Sequence, residues 1–101
     1  MASRLELQSK LEELLGSRNV YYQPPESVKM SYPAIRYSKK DIDSTHADDI
    51  NYLNNTSYEI IVIDKDPDNE VINKILELPY SSYDRPYKSN NLYHDVLTLY
   101  F

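Results

Sequence analysis

The run Tyr58-Glu59-Ile60-Ile61-Val62-Ile63-Asp64 constrains this chain more than any other stretch. β-Branched side chains lose rotamer freedom in a helix and pack well on a pleated sheet. Successive side chains of a strand point to opposite faces. Ile60 and Val62 therefore face one way, and Ile61 and Ile63 the other. Apolar on both faces, the run predicts a central strand covered on at least one side, so the fold has to be a sheet built around it.

Other segments supply neighbours for that strand. Tyr93 to Phe101 is apolar and aromatic, and follows a turn signal at Ser89-Asn90-Asn91. A segment of this kind frays unless something ties it down, so it is expected to sit within the sheet. Ser82 to Tyr87 reads as a strand or extended segment, and the short turn makes the two an antiparallel hairpin. Val20-Tyr21-Tyr22 reads as a short strand ended by Pro24-Pro25. Ala34 to Ser38 alternates, with Ile35 and Tyr37 on one face. Gln23 to Pro33, with three prolines, reads as an ordered surface loop, and Lys39 to Thr56 as an irregular one.

Two helices complete the pattern. Ser3-Arg4-Leu5-Glu6 is a capping box. Leu7, Leu11, Leu14 and Leu15 follow at helical spacing, and Gly16 supplies a left-handed stop. Asp66-Pro67-Asp68 predicts the start of a second helix, with Asp66 as N-cap and Pro67 in the first turn. Val71, Ile72, Ile75 and Leu76 form its buried stripe, and Pro79 ends it. The expectation is one α+β domain over residues 1–101. It is a four- to five-stranded, mainly antiparallel or mixed sheet with two helices packed on one face.

Composition narrows the functions open to such a domain. A single glycine, Gly16, cannot write a glycine-rich phosphate loop or a dinucleotide fingerprint. With no cysteine there is no thiol catalysis, disulfide or thiolate metal site. A net charge of −5 is the wrong sign for a nucleic-acid binder, which needs a basic stripe against phosphate. No apolar run approaches a membrane span, and Met1-Ala2-Ser3-Arg4 lacks the apolar stretch of a secretion signal. Asn54-Asn55-Thr56-Ser57 matches the glycosylation pattern but reads as a polar turn.

The residues make no case for catalysis, and no cofactor is expected. Asp64, Asp66, Asp68 and Glu70 alternate as in a calcium loop. Such a loop needs glycine and glutamate where this chain has Asn69 and Ile75, so these acids read as helix-start residues instead. His46 and His94 lie far apart. His94-Asp95 is half of an acid–base pair at most, because a triad is defined by geometry and not by the presence of its residues. The prominent excess is eleven tyrosines, which suit sheet edges and protein–protein contacts.

Read together, several phrases carry a resemblance. They are Tyr21-Tyr22-Gln23-Pro24-Pro25-Glu26-Ser27-Val28-Lys29-Met30, then Tyr32-Pro33-Ala34-Ile35 with Tyr37, then Ala47-Asp48 with Tyr52. Val62-Ile63-Asp64-Lys65-Asp66-Pro67-Asp68, Leu78-Pro79-Tyr80, Asp84-Arg85 with Tyr87, and Asn91-Leu92-Tyr93-His94-Asp95 through Leu99-Tyr100 follow. In this order they resemble the small tail completion, or tail terminator, proteins of long-tailed bacteriophages (siphophages), over nearly the whole chain. The resemblance implies an α+β subunit of a six-membered ring at the head-proximal end of the tail tube. Such a ring stops tube polymerisation and presents a surface to the head connector. Its partners would be further copies of itself, the tail tube protein and the connector or stopper protein, with assembly in the host cytoplasm. It carries no catalytic residue onto this sequence.

Read in those terms, a ring subunit needs two complementary patches, because its interface is heterologous. The candidates are the proline-rich loop, with Gln23, Pro24, Pro25 and Tyr32, and the tyrosine-rich segment, with Tyr83, Arg85, Tyr87 and Tyr93. Arg85 between Tyr83 and Tyr87 is the favoured hot spot, since arginine and tyrosine are enriched at such points. Asp41, Asp43, Asp48 and Asp49 are candidates for a lumen or docking loop. Six copies carry about −30 in all, which repels DNA passing through without specific binding. Alternative readings are a head-completion or stopper protein at the same junction, an acidic phage inhibitor that imitates DNA, and a small hydrolase using His94.

Overall fold

The computed structural model describes residues 4–24, 29, 31–42 and 56–101. The elements run α1 (Arg4–Leu15), β1 (Val20–Tyr22), β2 (Ala34–Ile42), β3 (Thr56–Asp64), α2 (Val71–Leu76), β4 (Ser81–Ser89) and β5 (Leu92–Tyr100). The strands form one five-stranded sheet in the order β1-β2-β3-β5-β4. β1 pairs with β2 in parallel, and every other pair is antiparallel. The chain is thus an α+β fold on a mixed sheet, with the β-branched run of β3 in the middle as its composition requires.

Alternation along the strands makes two apolar layers. On one face, Ile35 and Tyr37 of β2, Ile60 and Val62 of β3, and Leu97 and Leu99 of β5 form a single buried cluster. Leu7 and Leu11 of α1 and Val71 and Ile75 of α2 belong to the same cluster, so both helices cover that face. Each such side chain contributes roughly 1.5–3 kcal/mol by leaving water. On the other face Ile61, Ile63 and Val96 make a smaller cluster, with Leu92 against it, to which neither helix contributes.

A polar knot fastens α1 to the sheet. The fully buried Tyr37 donates its hydroxyl proton to Gln8 Oε1 at 2.5 Å and accepts from Arg4 Nη1 at 3.3 Å. Gln8 also donates to the Val20 carbonyl at 3.0 Å, and the Arg4 guanidinium lies 4.4 Å from the centre of the Tyr22 ring. Burial raises the Tyr37 phenol above its ordinary pKa, an effect that Arg4 opposes by hydrogen bond and charge. Gly16 ends the helix at φ +82°, the left-handed position that favours glycine.

The second helix begins later than its aspartates predict. Asp66 does not cap it: its carboxylate accepts from the Asp68 amide at 2.9 Å and closes a local turn. Asn69 then accepts from the Val71 amide at 2.8 Å, and α2 starts at Val71. Short polar side chains that bond their own neighbouring amides compete with helix in this way. The expected stripe narrows accordingly: Val71 and Ile75 are buried, Ile72 is half-buried and Leu76 is exposed. β2 also runs further than the alternation of residues 34–38 suggests, reaching Ile42 past an irregularity between Lys39 and Asp41.

Candidate interaction surface

The β4–β5 hairpin is built outward from a two-residue turn. Asn90 (φ 53°) and Asn91 (φ 64°) both take positive φ, the conformation that asparagine tolerates and that two-residue hairpins require. This fixes Ser89 opposite Leu92, Lys88 opposite Tyr93, Tyr87 opposite His94 and Pro86 opposite Asp95. β4 is an edge strand, and every residue from Ser82 to Ser89 is exposed.

A bulge sorts the candidate residues. The register shifts between Tyr83, opposite Leu97, and Arg85, opposite Val96. Tyr83 therefore shares the helix-covered face with Leu97, while Arg85 and Tyr87 lie on the face of Val96. The expected trio of Arg85 between two tyrosines does not form, because one extra residue in a bulged strand reverses the alternation. Asp84, the residue at the shift, instead accepts from the Thr98 hydroxyl at 2.8 Å, and Thr98 is 3.4 Å from the Lys40 ammonium.

Each face of the hairpin holds its own side-chain pairs. On the Arg85 face the Tyr87 and His94 rings stack with centroids 4.5 Å apart. On the helix face the Tyr83 hydroxyl donates to Asp95 Oδ1 at 2.7 Å, and the Lys88 ammonium lies 5.0 Å from the Tyr93 ring centre. Partial desolvation, together with the bond to the Asp95 carboxylate and its charge, pushes the Tyr83 phenol up to about 12. Pro67, Pro86, Tyr87, Lys88, Tyr93, His94 and Asp95 line a groove of about 300 Å³ at this end of the hairpin. Tyr80, at 59% exposure, stands just before the strand with φ 61°.

The other patch lies beyond the opposite edge of the sheet. Gln23 (φ 43°) and Pro24 follow β1 and line a cavity of about 170 Å³ with Arg36, Tyr37, Ser38, Glu59 and Ile61. The Gln23 amide donates to the Tyr37 carbonyl at 2.9 Å. Tyr32 is exposed, next to the cis Tyr32–Pro33 bond. Pro25, Asp43, Asp48 and Asp49 lie outside the described residues, as does the Asp41 side chain.

Pro67, Pro86, Lys88, His94 and Asp95 escaped the sequence reading as members of one surface. The Asn90-Asn91 pair carried the signal, since counting outward from a two-residue turn pairs all but Pro67. Among the described residues no group of three or more acidic or histidine side chains converges as a metal site would. No family model matches the chain, and no curated protein or solved structure resembles it significantly.

Proposed function

We propose that this chain is a structural assembly protein of a long-tailed phage. It forms a ring at the head-proximal end of the tail tube, stops tube growth and joins the tail to the head connector. One observation carries the reading beyond the sequence resemblance. The exposed edge strand β4 carries Tyr83, Arg85 and Tyr87, and Tyr87 lines an open groove with Pro67, Pro86 and Tyr93 at that edge of the sheet. Aromatic and arginine side chains on a rigid element suit protein–protein contact, and a subunit that meets its neighbours through surface complementarity needs no reactive group.

The test uses tail tubes assembled in vitro. Added in excess, the purified protein should halt tube elongation and label one tube end by immunogold electron microscopy, in preparations without heads. Unchanged tube lengths with unlabelled ends would refute the terminator role. Label on isolated heads alone would assign the protein to the stopper position.

A further inference from the structure

We infer that the cavity between the end of β1 and strands β2 and β3 binds a small zwitterion, an α-amino acid of about the size of alanine. Such a site stands apart from the assembly role. Four side chains mark the corners of a square on the sheet face to which neither helix contributes. Arg36 lies opposite Ile61, and Ser38 opposite Glu59, in the register of β2 against β3. Arg36 and Glu59 therefore sit on a diagonal, a separation that long side chains can span. Yet among the described residues neither has an ion-pair or hydrogen-bond partner, not even the other. Neighbouring charges on the same face are tied: Lys40 reaches the Thr98 hydroxyl at 3.4 Å, and Thr98 donates to Asp84 at 2.8 Å.

The square is the base of the cavity that Gln23 and Pro24 close from the β1 side. Ile61 is buried and forms an apolar floor, Ser38, Glu59 and Pro24 are half-buried, and Arg36 and Gln23 are exposed at the rim. Tyr37 turns its ring to the helix side, so only its backbone reaches the cavity. The Gln23 amide donates to the Tyr37 carbonyl at 2.9 Å and holds that wall against β2. A volume of about 170 Å³ equals five to six waters at about 30 Å³ each, which suits alanine and leaves no room for a large side chain.

The charges select the ligand. A guanidinium takes a carboxylate through two parallel hydrogen bonds, and a carboxylate takes an ammonium by a charge-assisted one. A ligand with both groups on one carbon bridges Arg36 and Glu59 and lays a short apolar side chain on Ile61 and Pro24. A plain anion meets repulsion from Glu59, and a plain cation meets it from Arg36, so single ions are disfavoured. Both receiving side chains stand on paired strands of the sheet, which fixes the distance between them.

Amide and arginine side-chain NMR spectra recorded during titration with L-alanine test the site. Saturable shifts should appear at Arg36, Ser38, Glu59 and Ile61, with half-saturation at about 1 mM, as befits so small and open a ligand site. At equal ionic strength propionate and ethylamine should each bind about tenfold more weakly or worse, because each leaves one charge of the pair facing its own sign. Arg36→Gln and Glu59→Gln should each abolish saturation, and the double exchange Arg36→Glu with Glu59→Arg should restore it with the ligand reversed. Circular dichroism of each variant checks folding. No saturable shift by about 20 mM alanine would overturn the inference, since that lies well above the expected half-saturation. So would propionate or ethylamine binding as well as alanine, or either glutamine variant binding like the parent. None of these outcomes bears on tube capping, which decides the assembly reading separately.

Discussion

Replacing Tyr37 with phenylalanine isolates the knot between α1 and the sheet. The ring stays, so its tilted contacts with Tyr22 (5.0 Å) and Tyr58 (6.0 Å) are retained. What goes is the hydroxyl that donates to Gln8 Oε1 and accepts from Arg4. A net hydrogen bond contributes about 0.5–1.5 kcal/mol, and an acceptor left unpaired in a buried place costs about 1–3 kcal/mol. Gln8 is only half-buried, so water can reach its freed oxygen and the second figure applies in part. The expected loss is about 1–2 kcal/mol, or a Tm drop of roughly 4–16 °C for a domain of this size. Urea unfolding followed by far-ultraviolet circular dichroism measures it. In a double-mutant cycle with Gln8→Ala the coupling should be about 0.5–1.5 kcal/mol. A Tyr37→Phe variant as stable as the parent, or a coupling near zero, would refute the claim that this hydroxyl anchors the helix.

Further predictions follow from single residues. The Tyr83 phenol should titrate near pH 12 by Cζ carbon NMR, and Asp95→Asn should move it back toward 10. Tyr37 and Tyr83 both have raised pKa values when folded, so the stability each contributes is complete below the unfolded value of 10 and is lost as pH rises through the folded one. Unfolding free energy should therefore fall with pH above 10, and less steeply in Tyr37→Phe, which has already lost that contribution at every pH; equal slopes in both would remove Tyr37 as a cause. Gly16→Ala meets no atom within 4 Å but keeps a positive φ, so it should cost about 1–2 kcal/mol from backbone strain alone. On α1, Leu11→Ala should cost about 2–5 kcal/mol and Leu5→Ala less than about 0.5 kcal/mol, because Leu11 is fully buried and Leu5 is 65% exposed; equal losses would contradict the assigned helix face.

Element type and order were legible in the sequence wherever periodicity was strong. The leucine spacing of α1, the β-branched run of β3 and the asparagine turn each carry a period or a turn chemistry that a local pattern expresses. Local conflicts were not legible. Asp66 and Asn69 are good caps in isolation, and only the competition among their turns decides where α2 begins. Lys39, Lys40 and Asp41 have no apolar alternation, yet β2 runs on through them, because β3 offers backbone partners to Lys39, Asp41 and Ile42 on either side of an unpaired Lys40. In the candidate surface the shift at Asp84 was hidden, because a bulge depends on pairing and leaves no mark in composition. It turned a contiguous Tyr-Arg-Tyr motif into groups on two faces. The parallel direction of β1 was equally silent, since three residues cannot encode which way they run.

The position of β5 between β3 and β4 governs how this chain can be made. During synthesis, β4 leaves the ribosome with no seat waiting, because the strand that joins it to the rest of the sheet is translated after it. A polypeptide halted at Ser89 would own both helices and four strands, yet hold its final segment loose and leave one side of β3 bare to other nascent chains. Shortening this protein from its carboxyl side thus removes an interior beam.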